Sequence, residues 1–161
     1  MAITIYPDGR VTGGSLRSVG DVVQAKCSPS NTLAQVNTSS DSYSDIADCD
    51  LLFTPKFSTS TIILAVNCHV NTGASNRNAS IRLTYNHAGI SQTAMNTNQD
   101  GYATNNGAGQ FDGYTSLFYN QPSISTTNEI TYRLQMRSIS ANGTIYINRK
   151  PIRIMAWEIA A

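Results

Sequence analysis

The sequence predicts an all-β protein, a single jelly-roll-like antiparallel β-sandwich. Three observations carry that prediction. Short runs alternate apolar and polar residues with period two, most cleanly from Ile130 to Met136. Clusters of Gly, Asn and Pro interrupt these runs at short intervals, as strand-ending turns do. No stretch of useful length keeps a 3.6-residue apolar period.

A chain of 161 residues is expected to form one domain with a substantial core. Residues 19–161 read as the β domain and residues 1–18 as an N-terminal arm. Charged residues make up 13% of the chain against a usual share of about a quarter, and the net charge is +1. Nucleic-acid and membrane-surface binding both need a clustered positive field, so neither partner is predicted. No apolar run approaches the ~20 residues that span a bilayer. The first ten residues, MAITIYPDGR, lack the charged start and apolar core of a secretory signal. The chain is therefore expected to be made in a cytosol and to reach any outside location by assembly or lysis. A surface of amides and hydroxyls suits a virion or extracellular protein and carbohydrate contact; it is equally what an all-β protein with many turns presents.

In order, Ile3-Thr4-Ile5-Tyr6 reads as a short strand stopped by Pro7-Asp8-Gly9, where Pro presets φ and Gly supplies a positive one. Gly13-Gly14-Ser15 is a flexible joint. Asp21 to Lys26 is a second strand, and Cys27 to Ser42 a polar loop. An acidic lead follows, with Asp41, Asp45, Asp48 and Asp50, then Leu51-Leu52-Phe53 and the turn Thr54-Pro55-Lys56. The run from Ile62 to Val66 is apolar on both faces: Ile62, Leu64 and Val66 point one way, Ile63 and Ala65 the other. Such a strand lies inside a sandwich or against another subunit.

Asn71 to Ala79 reads as a loop and Ser80 to Tyr85 as an alternating strand, with Ile81, Leu83 and Tyr85 inward. Asn86 to Gly113 is the longest weakly patterned region. It reads as a loop with some irregular strand, and loops of that length are usually functional or disordered. Tyr114 to Tyr119 is a strand and Pro122 to Asn128 a break. Glu129 to Arg137 is the cleanest strand. Asn142-Gly143 signals a tight turn, with a return strand from Thr144 to Asn148. A two-residue turn would pair Met136 with Arg149 and mismatch the faces, so a longer loop or a bulge is expected. Ile152 to Ile159 closes the chain, again apolar on both faces. Two doubly apolar strands exceed what a solvated sandwich needs. The surplus predicts a subunit interface in a closed homotrimer, with Ile63, Ala65, Met155 and Trp157 near the axis or in the core.

The chemistry-bearing residues are few. Cys27, Cys49 and Cys68 are too widely spaced for a zinc site or a disulfide framework. Cys68 falls in a buried strand, and a Cys27–Cys49 bridge stays open. His69 and His87 read as edge histidines. No Gly-x-Ser-x-Gly elbow occurs, and no two of the ten acidic residues read as a glycosidase pair. The chain is expected not to be an enzyme and to need no cofactor. Asn96 to Gly101 has the oxygen spacing of a calcium loop, but Gly107 stands where a bidentate Glu belongs, so no metal is expected. Tyr102, Phe111 and Tyr114 lie among Asn105, Asn106 and Gln110. Aromatic faces stack on sugar C–H groups and amides bond hydroxyls, which makes Tyr102, Asn105, Asn106, Gln110 and Asp112 the candidate ligand residues. The same aromatics would serve equally to anchor the loop to the sandwich.

The stretch from Tyr43 to Ala65, with its Leu-Leu-Phe-Thr-Pro-Lys-Phe-Ser-Thr-Ser-Thr-Ile-Ile-Leu-Ala run, resembles a segment of bacteriophage fibre-tip and virion-surface proteins, especially from phages of marine bacteria and cyanobacteria. There a Thr-Pro-Lys turn leads into a core strand. Gly20 to Gln24, Ile130 to Met136, Thr144 to Arg149 and Ile154 to Ile159 resemble that family too, so the likeness spans about Val19 to Ile159. It implies a trimeric jelly-roll-like head on the virion surface, synthesised in the bacterial cytoplasm. The implied partners are further copies of itself, other phage virion proteins and a host cell-surface glycan. This chain departs from the pattern in starting close to the domain, with no shaft or coiled coil before it. A tail-fibre-tip-like adhesin is the leading expectation; a capsid decoration protein and a polysaccharide depolymerase are the alternatives. Residues Ile3, Ile5 and Tyr6 then read as a docking arm that adds to a neighbour's sheet edge.

Overall fold

The computed structural model describes residues 19–28, 36–73, 77–95, 112–121, 125–139, 143–147 and 152–161, and the backbone of 4–5, 11–12 and 101–104. Every regular element among them is a β-strand. In chain order these are β1 (Thr4–Ile5), β2 (Val11–Thr12), β3 (Val22–Cys27), β4 (Val36–Thr38), β5 (Ser44–Asp45), β6 (Leu51–Phe53) and β7 (Thr61–Asn71). They continue with β8 (Asn78–His87), β9 (Ile90–Ala94), β10 (Gly101–Thr104), β11 (Asp112–Gln121), β12 (Ile130–Ser138), β13 (Ile145–Ile147) and β14 (Arg153–Ile159).

Two antiparallel sheets face each other. In the first, β7 pairs with β11 along one edge and with β14 and β13, end to end, along the other; β3 and β4 lie outside these. In the second, β8 and β12 form the centre, with β9 and β10 beyond β8 and β5 and β6 beyond β12. The predicted all-β sandwich is the observed architecture.

Period-two patterning explains which face of each strand turns in. Ile130, Tyr132, Leu134, Met136 and Ser138 of β12 are buried, while the residues between them are half-buried. Across the interior stand Ile62, Leu64, Val66, Cys68 and Val70 of β7, with Ile154 and Ala156 of β14. Removing such side chains from water is worth about 1.5–3 kcal/mol each. Polar side chains inside bond one another and the backbone: the Tyr132 hydroxyl donates to Gln121 Oε1 at 2.6 Å, and the Leu83 N–H donates to the Tyr119 hydroxyl at 3.2 Å, tying the sheets together.

Several expectations are corrected. The strand around Ile62 to Val66 is eleven residues long and runs to Asn71. The region from Asn86 to Gly113 is no single loop. β8 and β9 form a hairpin through Ala88-Gly89, with Gly89 at φ +84°, and β10 pairs with the start of β8. β9 reads ISQTA and is almost wholly exposed, so no apolar alternation marked it. The strand after Asn142-Gly143 does not return onto β12. β13 pairs with β4 and β7 in the opposite sheet, which removes the face mismatch that a tight hairpin would have created. Gly143 instead lies against the Arg77 side chain: a Cβ there would sit 2.1 Å from Arg77 Nε and would displace that arm. All three cysteines are free, Cys27 exposed and Cys49 and Cys68 buried, so the Cys27–Cys49 bridge is absent. In the arm, Thr4–Ile5 pairs with Val11–Thr12 as a separate two-stranded sheet; Ile3 and Tyr6 lie outside the described residues.

Candidate functional site

The two sheets present opposite kinds of outer surface. On the first sheet, β7 turns Ile63 and Ala65 away from the core, and register builds rows across its neighbours. Trp157 and Ala25 continue from Ile63 on one side and Asn120 on the other. Met155 and Cys27 continue from Ala65, with Phe118 opposite. These two rows contain no charged side chain. Phe118 is 70% exposed and Ile63 39% exposed, whereas Ala65 is buried because it lies between the larger Met155 and Phe118. Ala25, Lys26, Cys27, Met155 and Trp157 line a shallow depression of about 250 Å³. The four residues expected at an interface thus share one outer face: none of their side chains enters the interior occupied by Leu64 and Ile154.

On the second sheet the outer face is mainly polar, although Leu52 of β6 and Ile90 of β9 are also exposed. The Arg133 guanidinium bonds the carboxylates of Asp50 and Asp45, and Gln135 and Gln92 donate to Asp45 Oδ1 at 2.7 and 2.9 Å. Burial raises the Asp45 pKa, but these bonds from Gln135, Gln92 and Arg133 outweigh it and hold the carboxyl below its usual range. The hydrogen bonds that Arg133 donates to Asp50 push its own pKa up. Beside this network, Arg82 and Arg137 both stack on the Tyr43 ring, 3.7 and 4.6 Å from its centroid.

Among the described residues one carboxylate is fully buried. Glu158, at the end of β14, accepts the backbone N–H of Lys56 and of Phe57 at 2.9 Å and the Gln24 amide at 2.7 Å. Burial raises its pKa, yet the N–H groups of Lys56 and Phe57, with Ser60 and Gln24, bring it below 4.5 overall. Glu158 therefore fastens the Thr54-Pro55-Lys56 turn onto the other end of the domain's sequence. The sequence placed Glu158 on a strand but gave no sign of its partners.

The expected ligand residues are only partly brought together. Tyr102 lies in β10, paired with Ser80; its side chain, and all of Asn105, Asn106 and Gln110, lie outside the described residues. Asp112 opens β11, where His69 Nε2 sits 3.1 Å from Oδ1 and Asn71 donates to the same oxygen at 3.3 Å. His69 is 1% exposed and meets the Tyr114 ring edge-on, with centroids 5.0 Å apart. The sequence reads His69 as an edge histidine, and only strand register supplies its partner Asp112. Among the described residues no three His, Cys, Asp or Glu side chains are grouped to hold a metal ion, and no helix is long and apolar enough to cross a membrane. The calcium-like segment 96–100 lies outside the described residues.

No protein-family model matches the chain, and no curated protein matches it. Distant similarity to solved structures does exist. An Eiger TNF from S. frugiperda is 14% identical with a TM-score of 0.45, over 85% of this chain and 93% of that one. The infectious bursal disease virus Gt strain gives 12% identity and a TM-score of 0.44, over 99% of this chain and 47% of that one. The VP2 subviral particle of the same virus gives 12% and 0.39, over 100% and 42%. The chain spans less than half the length of the viral chains it resembles.

Proposed function

We propose that this chain is a non-enzymatic bacteriophage virion structural protein, displayed on the particle as a homotrimer and acting as a tail-fibre-tip-like adhesin for a host-surface glycan. The observation that carries the reading is the contrast between the outer faces. A sheet whose exterior presents Phe118, Ile63, Trp157 and Met155 leaves an apolar patch of the kind that marks an interaction site. Because its two rows are neutral, the patch meets its own copy without charge repulsion, and a closed ring leaves none of it exposed.

The adhesin role draws on topology and on the sequence likeness to phage fibre tips. β10 ends at Thr104 in the second sheet and β11 begins at Asp112 in the first, where they pair with Asn78 and Asn71 at the two ends of the β7–β8 connection. This region carries Asp112 and, at its register position, Tyr102. The non-enzymatic reading draws on how carboxylates are spent: Glu158 on a turn, Asp45 and Asp50 on Arg133, Asp112 on His69 and Asn71.

Electron microscopy of intact particles with labelled protein tests the reading. Density at the tail end is expected. Density at three-fold positions of the head would replace the adhesin with a capsid decoration protein, and shortened chains after incubation with host polysaccharide would replace it with a depolymerase.

A further inference from the structure

We propose that Tyr43, Arg82 and Arg137 form an anion-binding site on the outer face of the second sheet, taking the carboxylate groups of an acidic host polysaccharide. The inference rests on the adhesin reading for its ligand source, and on side-chain geometry for the site itself.

The site follows from strand register. Arg137 pairs with Ser80 and Gln135 with Arg82, so the two arginines are diagonal neighbours on one face. Tyr43 precedes β5, whose Ser44 and Asp45 pair with Met136 and Gln135, and its hydroxyl shares a 2.6 Å hydrogen bond with Ser80 Oγ. That bond pins the ring, and both guanidiniums pack against it. Being 3.7 and 4.6 Å from one centroid, the two cations lie within about 8 Å of each other. This is inside the screening length of about 10 Å at 0.1 M salt, so they repel each other and jointly attract an anion.

Among the described residues their charges are uncompensated. The acids of this face, Asp45 and Asp50, pair with Arg133. Among the described residues neither Arg82 nor Arg137 has a carboxylate partner. Arg82 gives its Nε donor to Gln135 Oε1 at 2.8 Å, and the buried Arg137 Nε has no partner. Each guanidinium carries five donors in a planar fork that matches a carboxylate. The other polar groups of this face are already engaged, Ser80 Oγ with Tyr43, Thr84 Oγ1 with Arg133 O and Gln92, and Gln135 with Arg82 and Asp45, so the two guanidinium forks are the donors left to meet a ligand. β10 also places Tyr102 at the register position beside Ser80, in the row that Arg137 begins.

Titration calorimetry of the full chain with polygalacturonate, neutral dextran and poly-glutamate tests the proposal. Polygalacturonate should bind with an affinity that falls as salt rises, and dextran should not bind. Arg82→Gln with Arg137→Gln should weaken polygalacturonate binding about tenfold or more, since each charge-assisted bond lost is worth that order. Arg82→Lys with Arg137→Lys, a second variant against loss of folding, should keep the salt-dependent part. Equal binding by the glutamine variant, or none by the wild type, would overturn the site. Poly-glutamate binding as tightly through the same arginines would overturn the sugar assignment. Arginine-dependent polygalacturonate binding by a protein that fails to adsorb to host cells would leave the site standing and defeat the adhesin reading. Unimpaired cell adsorption by the glutamine variant would do the reverse.

Discussion

The Glu158 carboxylate and the Lys56 N–H are 2.9 Å apart across 102 residues of sequence, and this bond closes the domain. It joins the last strand to the turn that starts β7. Glu158→Gln keeps the shape but turns one acceptor oxygen into a donor facing Lys56, Phe57 and Gln24 donors. A loss of about 2–3 kcal/mol in chemical denaturation is expected, because charged hydrogen bonds are removed in a buried place.

Acid should act through the same residue. The Glu158 pKa in the folded protein lies below its ordinary 4.5, so as pH falls the unfolded chain takes up the proton first. The stabilisation is complete above about 4.5 and is lost as pH drops through the folded value. Denaturation midpoints measured from pH 6 to pH 3 should fall for the wild type and fall less steeply for Glu158→Gln. Parallel curves would remove Glu158 as the source.

Self-association is expected to depend on the outer rows of the first sheet. Ile63→Glu with Phe118→Glu places charges on exposed positions of that face. Sedimentation at micromolar concentration should show a trimer for the wild type and a monomer for the variant, with an unchanged circular dichroism spectrum. A monomeric wild type would refute the assembly.

Thiol reactivity reports on the same face. Only Cys27 is exposed, whereas burial pushes the Cys49 thiol up to about 12 and raises that of Cys68 further. One fast-reacting thiol is expected in the native protein and three in denaturant. Because Cys27 ends the Met155 row, its reaction should slow as concentration drives assembly; a rate independent of concentration would separate Cys27 from the interface.

The arm is expected to serve attachment rather than folding. β1 and β2 pair only with each other among the described residues. Deleting residues 1–14 should leave the melting temperature and trimer intact while abolishing incorporation into particles. Normal incorporation of the deletion would refute the docking arm.

Alternation in the sequence determined the strands and their inward faces where one face is apolar and the other polar. Ile130, Tyr132, Leu134 and Met136 are read correctly because burial of one side of a pleat leaves a period-two signature. It equally determined that β7 and β14 have apolar residues on both sides, and so that Ile63 and Trp157 needed an explanation. Only the tertiary structure decided which side turns in, because both sides satisfy the same hydrophobic rule. Partner choice was likewise invisible. β13 crosses to the opposite sheet instead of returning on β12, since a tight turn signal constrains two residues and sheet membership depends on the whole interior. The Glu158–Lys56, His69–Asp112 and Arg82–Tyr43–Arg137 relationships join residues far apart in sequence. No periodicity reaches across such separations: hydrogen bonds and ion pairs act over a few ångströms, and folding alone sets those distances.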